Sequence, residues 1–139
     1  MQAQTTKGEL LYELRSKNVN TTIKDIGPNG IQLEMNDEGQ VSGKLQGGHI
    51  DTVSVNLKTD GTNDWQVKSI MNTKDGDMVV VWGGGKGSMS NPQSGTWSGE
   101  LHFMTQSPKL SWLNNSKGWV EGQGNMATRE SSAKVYAKK

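Results

Sequence analysis

The chain of 139 residues contains no cysteine. Disulfides, thiolate nucleophiles, zinc ribbons and iron–sulfur clusters are excluded together, so any metal would have to rely on two histidines and carboxylates. Proline occurs only three times and no Gly-x-y period repeats, which removes collagen and a proline-rich linker from consideration. A surplus of one charge is also missing, because 15 basic and 14 acidic residues leave a formal net charge of +1. Phosphate binding usually leaves a basic excess on a domain, so a nucleic-acid partner is not favoured. Long hydrophobic runs are absent as well: the longest, Met78 to Trp82, falls far short of the roughly 18 apolar residues of a membrane helix, and no membrane partner is expected. Glu9 and Glu13 break the only apolar stretch of the segment Met1 to Ser16, so it does not read as a signal peptide. A cysteine-free chain without an export signal suits a reducing cytoplasm.

What is present is glycine, with 18 residues, and tryptophan, with five. Residues 1–139 are expected to fold as a single domain around one core. Turn signals recur at Gly27-Pro28-Asn29-Gly30, Glu38-Gly39, Asp60-Gly61-Thr62-Asn63, Lys74-Asp75-Gly76-Asp77, Asn91-Pro92-Gln93-Ser94 and Asn114-Asn115-Ser116. Between them the apolar period is two. Trp97, Leu101 and Phe103 alternate with Ser98, Glu100 and His102; Ile31, Leu33 and Met35 alternate with Gln32 and Glu34; Val53, Val55 and Leu57 alternate with Ser54 and Asn56. This pattern predicts strands near 8–16, 19–26, 30–37, 40–46, 49–59, 64–73, 77–89, 95–106, 108–114, 117–126 and 131–137, some of them halves of longer bent strands, and no helix. Glycines inside strands mark bends, bulges or close approach, and barrel closure removes exposed sheet edges. The expected fold is therefore all-β: a closed or nearly closed antiparallel meander β-barrel of about eight strands, whose interior holds side chains or one small ligand.

Several motifs invite chemistry. Gly83-Gly84-Gly85-Lys86-Gly87-Ser88 fails the phosphate-loop pattern, since Gly87 rather than Ser or Thr follows Lys86; a bent strand whose glycines make room for tryptophans explains it better. His49 and His102 are the only imidazoles, and neither lies in a recognisable constellation, although Glu100 and His102 share a strand face. No Gly-x-Ser-x-Gly elbow supports a serine triad, and no metal-ligand spacing or cofactor signature occurs. Asp37, Glu38, Asp60, Asp64, Asp75 and Asp77 are read as turn residues. Glu121 shares a strand face with Trp119, so it is the candidate catalytic carboxylate if that face lines a cavity, where burial would raise its pKa. The tryptophans Trp65, Trp82, Trp112 and Trp119 are candidate ligand-binding walls, with Asn114 as a polar partner; filling the core is the alternative.

The run Met71 to Met78, then Gly83, Gly85 and Gly87, then Gly95, Trp97 and Gly99, then Phe103-Met104-Thr105, Lys109-Leu110, Leu113-Asn114 and Gly118 to Glu121 resembles small bacterial and archaeal proteins of the allene-oxide-cyclase-like, calycin-like barrel group. The resemblance covers roughly residues 70–121. It implies a closed meander of about eight strands with a central cavity, often assembled as a homodimer or homotrimer, and no settled activity. Ser131, Ser132 and Lys134 depart from the apolar pattern usual in the last strand, which bears on closure. The cyclase of that group holds an unstable fatty-acid epoxide in a reactive shape; none of its catalytic residues aligns here.

The functional expectation is a barrel that binds a small apolar or amphipathic ligand such as a fatty acid or terpenoid, or that serves as an oligomeric binding scaffold. An isomerase or cyclase of a fatty-acid-derived or terpenoid substrate is the alternative, followed by a carbohydrate or nucleic-acid binding module. Periodicity cannot say which strand face points inward, because a shift of one residue exchanges the two.

Overall fold

Alternating apolar residues, short turns and repeated glycines build a closed eight-stranded antiparallel barrel in which every strand pairs with its neighbours in chain order and β1 pairs with β8. The structure, a computed structural model, describes residues 7–139. Residues 1–6 of the segment read as lacking a signal peptide lie outside them. The strands are β1 (Lys7–Gly27), β2 (Gly30–Gly43), β3 (Gly47–Lys58), β4 (Thr62–Thr73), β5 (Met78–Met89), β6 (Ser94–Thr105), β7 (Lys117–Asn125) and β8 (Glu130–Lys138), with a 3-10 helix at Pro108–Asn115. Among the described residues no helix is long and apolar enough to cross a membrane.

Two pairs of predicted segments are single strands. The stretches 8–16 and 19–26 join in β1, where register shifts between Asn18 and Asn20 and between Ile23 and Asp25 bend the strand without ending it. The stretches 30–37 and 40–46 join in β2, so Glu38-Gly39 is not a turn. The segment 108–114 is helical rather than extended. Pro108 opens it, where a missing N–H costs nothing, and the three-residue turn puts Leu110 and Leu113 on one side, against the core. The final strand closes the barrel through pairs such as Tyr12 with Val135 and Leu14 with Ala133. Ser131 and Ser132 do not prevent this, because closure is carried by backbone hydrogen bonds and by Ala133 and Val135, which are buried.

The inward face carries Trp65, Val81, Trp97, Leu101, Phe103, Val120 and Val135, and glycines opposite the large rings keep it from overfilling. A Cβ at Gly122 would lie 2.5 Å from the Trp97 ring, and one at Gly99 would lie 2.7 Å from the Trp65 ring. A Cβ at Gly83 or Gly85 would strike the carbonyl oxygens of Glu100 and Ser98 on β6, so these glycines permit the close strand approach expected of them, and Gly85 is the register partner of Trp65.

Candidate functional site

Meander topology sends the turns β1–β2, β3–β4, β5–β6 and β7–β8 to one end of the barrel, and there the interior is open. At the other end Leu113 of the 3-10 helix joins Leu11, Leu45, Val79, Phe103 and Val135 in the packed core. Between core and mouth lies a cavity of about 550 Å³. This is within the size range of small-ligand pockets, which run from roughly 300 to 1,000 Å³. Its walls differ. Val53, Val55, Trp65, Trp97, Leu101 and Val120 are apolar, whereas Ser16, Asp37, His49, Asp51 and Ser69 form a polar patch on β1–β4.

Strand register brings that patch together. Ser16, Gly39 and His49 lie side by side on β1, β2 and β3. Gly39 has no side chain to intervene, and a Cβ there would meet the Arg15 carbonyl oxygen at 1.8 Å. Across this gap Ser16 Oγ and His49 Nε2 are 3.1 Å apart. His49 Nδ1 lies 2.9 Å from Asp51 Oδ1, and Ser69 Oγ donates to the same oxygen at 2.5 Å. A carboxylate only accepts, so Nδ1–H donates to Asp51, and in the neutral imidazole Nε2 accepts the Ser16 hydroxyl proton. His49 is 4% exposed.

One strand over, Asp37 stands directly opposite Asp51 in register. Asn18 Nδ2 donates to Asp37 Oδ1 at 2.8 Å. Burial raises the Asp37 pKa above the ordinary carboxylate range; the Asn18 hydrogen bond opposes this, the Asp51 charge adds to it and His49 opposes it. Tyr12, 2% exposed, lines the same cavity, and burial followed by the Asp51 charge pushes its phenol far above the ordinary range, which keeps it a donor. Among the described residues no group of three or more His, Asp or Glu is arranged to hold a metal ion.

Of the residues singled out from the sequence, Trp65 lines the cavity, and its Nε1 donates to the Lys86 carbonyl at 3.3 Å. The other candidate tryptophans, Asn114 and Glu121 do not line it. Trp82 and His102 stack on the outer wall with ring centroids 5.6 Å apart, and His102 Nε2 is 3.2 Å from Glu100. Trp119 and Glu121 share a face, as expected, but it is the outer one: Trp119 Nε1 donates to Glu121, which also pairs with Lys7 at 3.1 Å. The reason is parity, since Val120 between them points inward and is buried. Trp112 is exposed on the 3-10 helix. Asn114 is a structural clamp, its side chain accepting from the Thr105 N–H at 2.8 Å and donating to the Thr105 carbonyl at 3.0 Å. The turn-like composition around Asp37 conceals the polar patch in the sequence, although the spacing His49-x-Asp51 on a predicted strand puts both on one face.

No family model matches the sequence, and no curated protein is similar to it in sequence. Solved structures of the same shape exist. A protein of unknown function from Clostridium acetobutylicum is 15% identical with a TM-score of 0.81, covering 93% of this chain and 97% of that one. A β-barrel-like protein from Acinetobacter baumannii is 18% identical with a TM-score of 0.81 over 94% of each chain. An enzyme from Penicillium herquei is 19% identical with a TM-score of 0.73, covering 97% of this chain and 96% of that one. At these identities the likeness shows the fold, a closed eight-stranded antiparallel β-barrel, and it is the fold that this chain shares with them.

Proposed function

We propose that this barrel, of the allene-oxide-cyclase-like shape, binds one small amphipathic molecule in its cavity. The observation that carries the reading is the division of a single cavity of about 550 Å³ into an apolar wall and a hydrogen-bonding patch. The apolar wall would contribute about 2.5 kcal/mol for every 100 Å² of ligand surface taken from water, and the patch would orient the head group. Titration with the neutral fluorophore N-phenyl-1-naphthylamine tests it. Saturable binding at one molecule per chain, with a rise in melting temperature, is expected; a flat titration with no thermal shift overturns the reading.

A second reading, an isomerase or cyclase acting on such a ligand, is favoured by the chain Asp51–His49–Ser16, in which Asp51 orients an imidazole whose other nitrogen faces a hydroxyl inside a cavity. A base so held can take a proton from a bound substrate, a role worth roughly 10²- to 10⁴-fold in rate. The barrel from Penicillium herquei is called an enzyme, which keeps this reading in view. Turnover of an epoxide or polyene panel that falls in His49→Gln while N-phenyl-1-naphthylamine still binds supports chemistry at this site. Absence of turnover across the panel leaves binding alone.

The outer wall supports an oligomer. Ile50, Ile70, Val80 and Met104 are register partners across β3, β4, β5 and β6 and form an apolar stripe on the outside, with Ile50 56% and Met104 54% exposed. We assign this stripe to contact with another copy of the chain, in a cytoplasmic homodimer or homotrimer.

A further inference from the structure

We propose that the head group this cavity takes is a protonated amine, bound between the carboxylates of Asp37 and Asp51 beside the Tyr12 phenol. The inference rests on the binding reading above and specifies its ligand. Three observations carry it.

The first is the placement of like charge. Asp37 and Asp51 are cross-strand partners on the inner face of β2 and β3, an arrangement that opposes folding unless a proton or a cation intervenes. No hydrogen bond joins the two carboxyl groups among the described residues. Their partners are Asn18 for Asp37 and His49 and Ser69 for Asp51, all on Oδ1 atoms. The second oxygen of each carboxylate thus remains to accept from a ligand.

The second observation is Tyr12. The residue lines the cavity and is 2% exposed, and among the described residues its hydroxyl makes no hydrogen bond, so it is left to meet a ligand head group.

The third is the absence of a lysine or arginine at that depth among the described residues. Arg129 is the one Lys or Arg among the described lining residues, and it sits in the β7–β8 turn at the mouth, beside Glu130. A carboxylate head, as on a fatty acid, would meet two acidic groups and no lysine or arginine at the depth of Asp51. Among the described residues no group of three His, Asp or Glu is arranged for a bare metal ion. An alcohol brings one donor and no charge. An alkylammonium brings three donors and the charge that relieves both carboxylates, while its tail runs along Val53, Val55, Trp65 and Leu101. The chain's net charge of +1 does not itself draw cations, so a preference for them would report the local site.

The test titrates the full chain near neutral pH with dodecylamine, dodecan-1-ol and dodecanoate, which share a tail and differ only in head group, each kept below its micelle concentration. Tryptophan emission and calorimetry report binding. The amine is expected to bind roughly tenfold or more tightly than the alcohol, with dodecanoate weakest. Asp51→Asn and Asp37→Asn should each bring the amine toward the alcohol while leaving the alcohol unchanged. Equal binding of amine and alcohol, or tightest binding of dodecanoate, overturns this proposal and leaves the binding reading standing. If no probe binds saturably, both fall. Should one variant fail to fold, the other variant and the ranking of the three probes on the unaltered protein decide the matter.

Discussion

Asp37 turns its carboxyl into the cavity from the middle of β2, and burial raises its pKa there despite the Asn18 hydrogen bond. A carboxyl raised in the folded state holds its proton more tightly there than in the unfolded chain, where the value is about 3.9. Its favourable contribution is complete below that value and is lost as pH rises through the raised one. Asp37→Asn keeps an acceptor for Asn18 and removes this loss. The variant should therefore melt at a higher temperature than the natural chain at neutral pH, with the difference shrinking as pH falls below the ordinary aspartate range; scanning calorimetry across pH checks both parts. Gly122 carries a second prediction. Because its Cβ would fall 2.5 Å from Trp97, Gly122→Val should cost roughly 1–3 kcal/mol in urea unfolding and shift the tryptophan emission. At this scale much of the site was hidden in the sequence. Trp65, a candidate from the sequence, lines the cavity, but Asp37 sits beside Glu38-Gly39, which has the composition of a turn. Only pairing with Arg15, Ser16 and His49 on both sides shows that the strand passes straight through.

The elements were more legible than the residues. Period-two patterns marked all eight strands, because each strand has one face in the core and one in water. The exception is the 3-10 helix, whose short sequence Pro-Lys-Leu-Ser-Trp-Leu-Asn-Asn alternates too weakly to declare itself. Its shape is set by Pro108 and by where Leu113 finds a hydrophobic seat. Leu113→Ala should therefore cost about 2–5 kcal/mol, the range for emptying a fully buried leucine position, as read from chemical denaturation. β1 makes another prediction. It pairs with β8 only through Lys17, whereas its pairing with β2 continues to Gly27, so the outer half is an edge. Amide exchange in the stretch from Thr21 to Ile26 should be far faster than around Tyr12 to Ser16, with protection limited to the N–H groups that face β2. Equal protection along the whole strand would show that something covers this edge.

The closed barrel puts Trp97, Leu101 and Phe103 inside and leaves the stripe from Ile50 to Met104 outside. Mass measurement in solution should thus give a dimer or trimer, and Ile70→Lys, in the middle of the stripe, should shift the protein toward the monomer without lowering strand content. A monomeric natural chain removes the stripe as an interface. The sequence by itself determined an all-β meander with about eight strands, since alternation, turn spacing and glycine frequency are local properties that survive without knowledge of neighbours. It also determined that Trp119 and Glu121 share a face and that His49 and Asp51 do. Which of those faces points inward was decided by the tertiary structure alone. Every strand offers two faces, and a one-residue change of register exchanges them, so the choice is made by the whole barrel burying its larger apolar set at once. Closure chose the face of His49 and Asp51 for the cavity and the face of Trp119 and Glu121 for the outside, and with that choice it moved the candidate chemistry from β7 to β3.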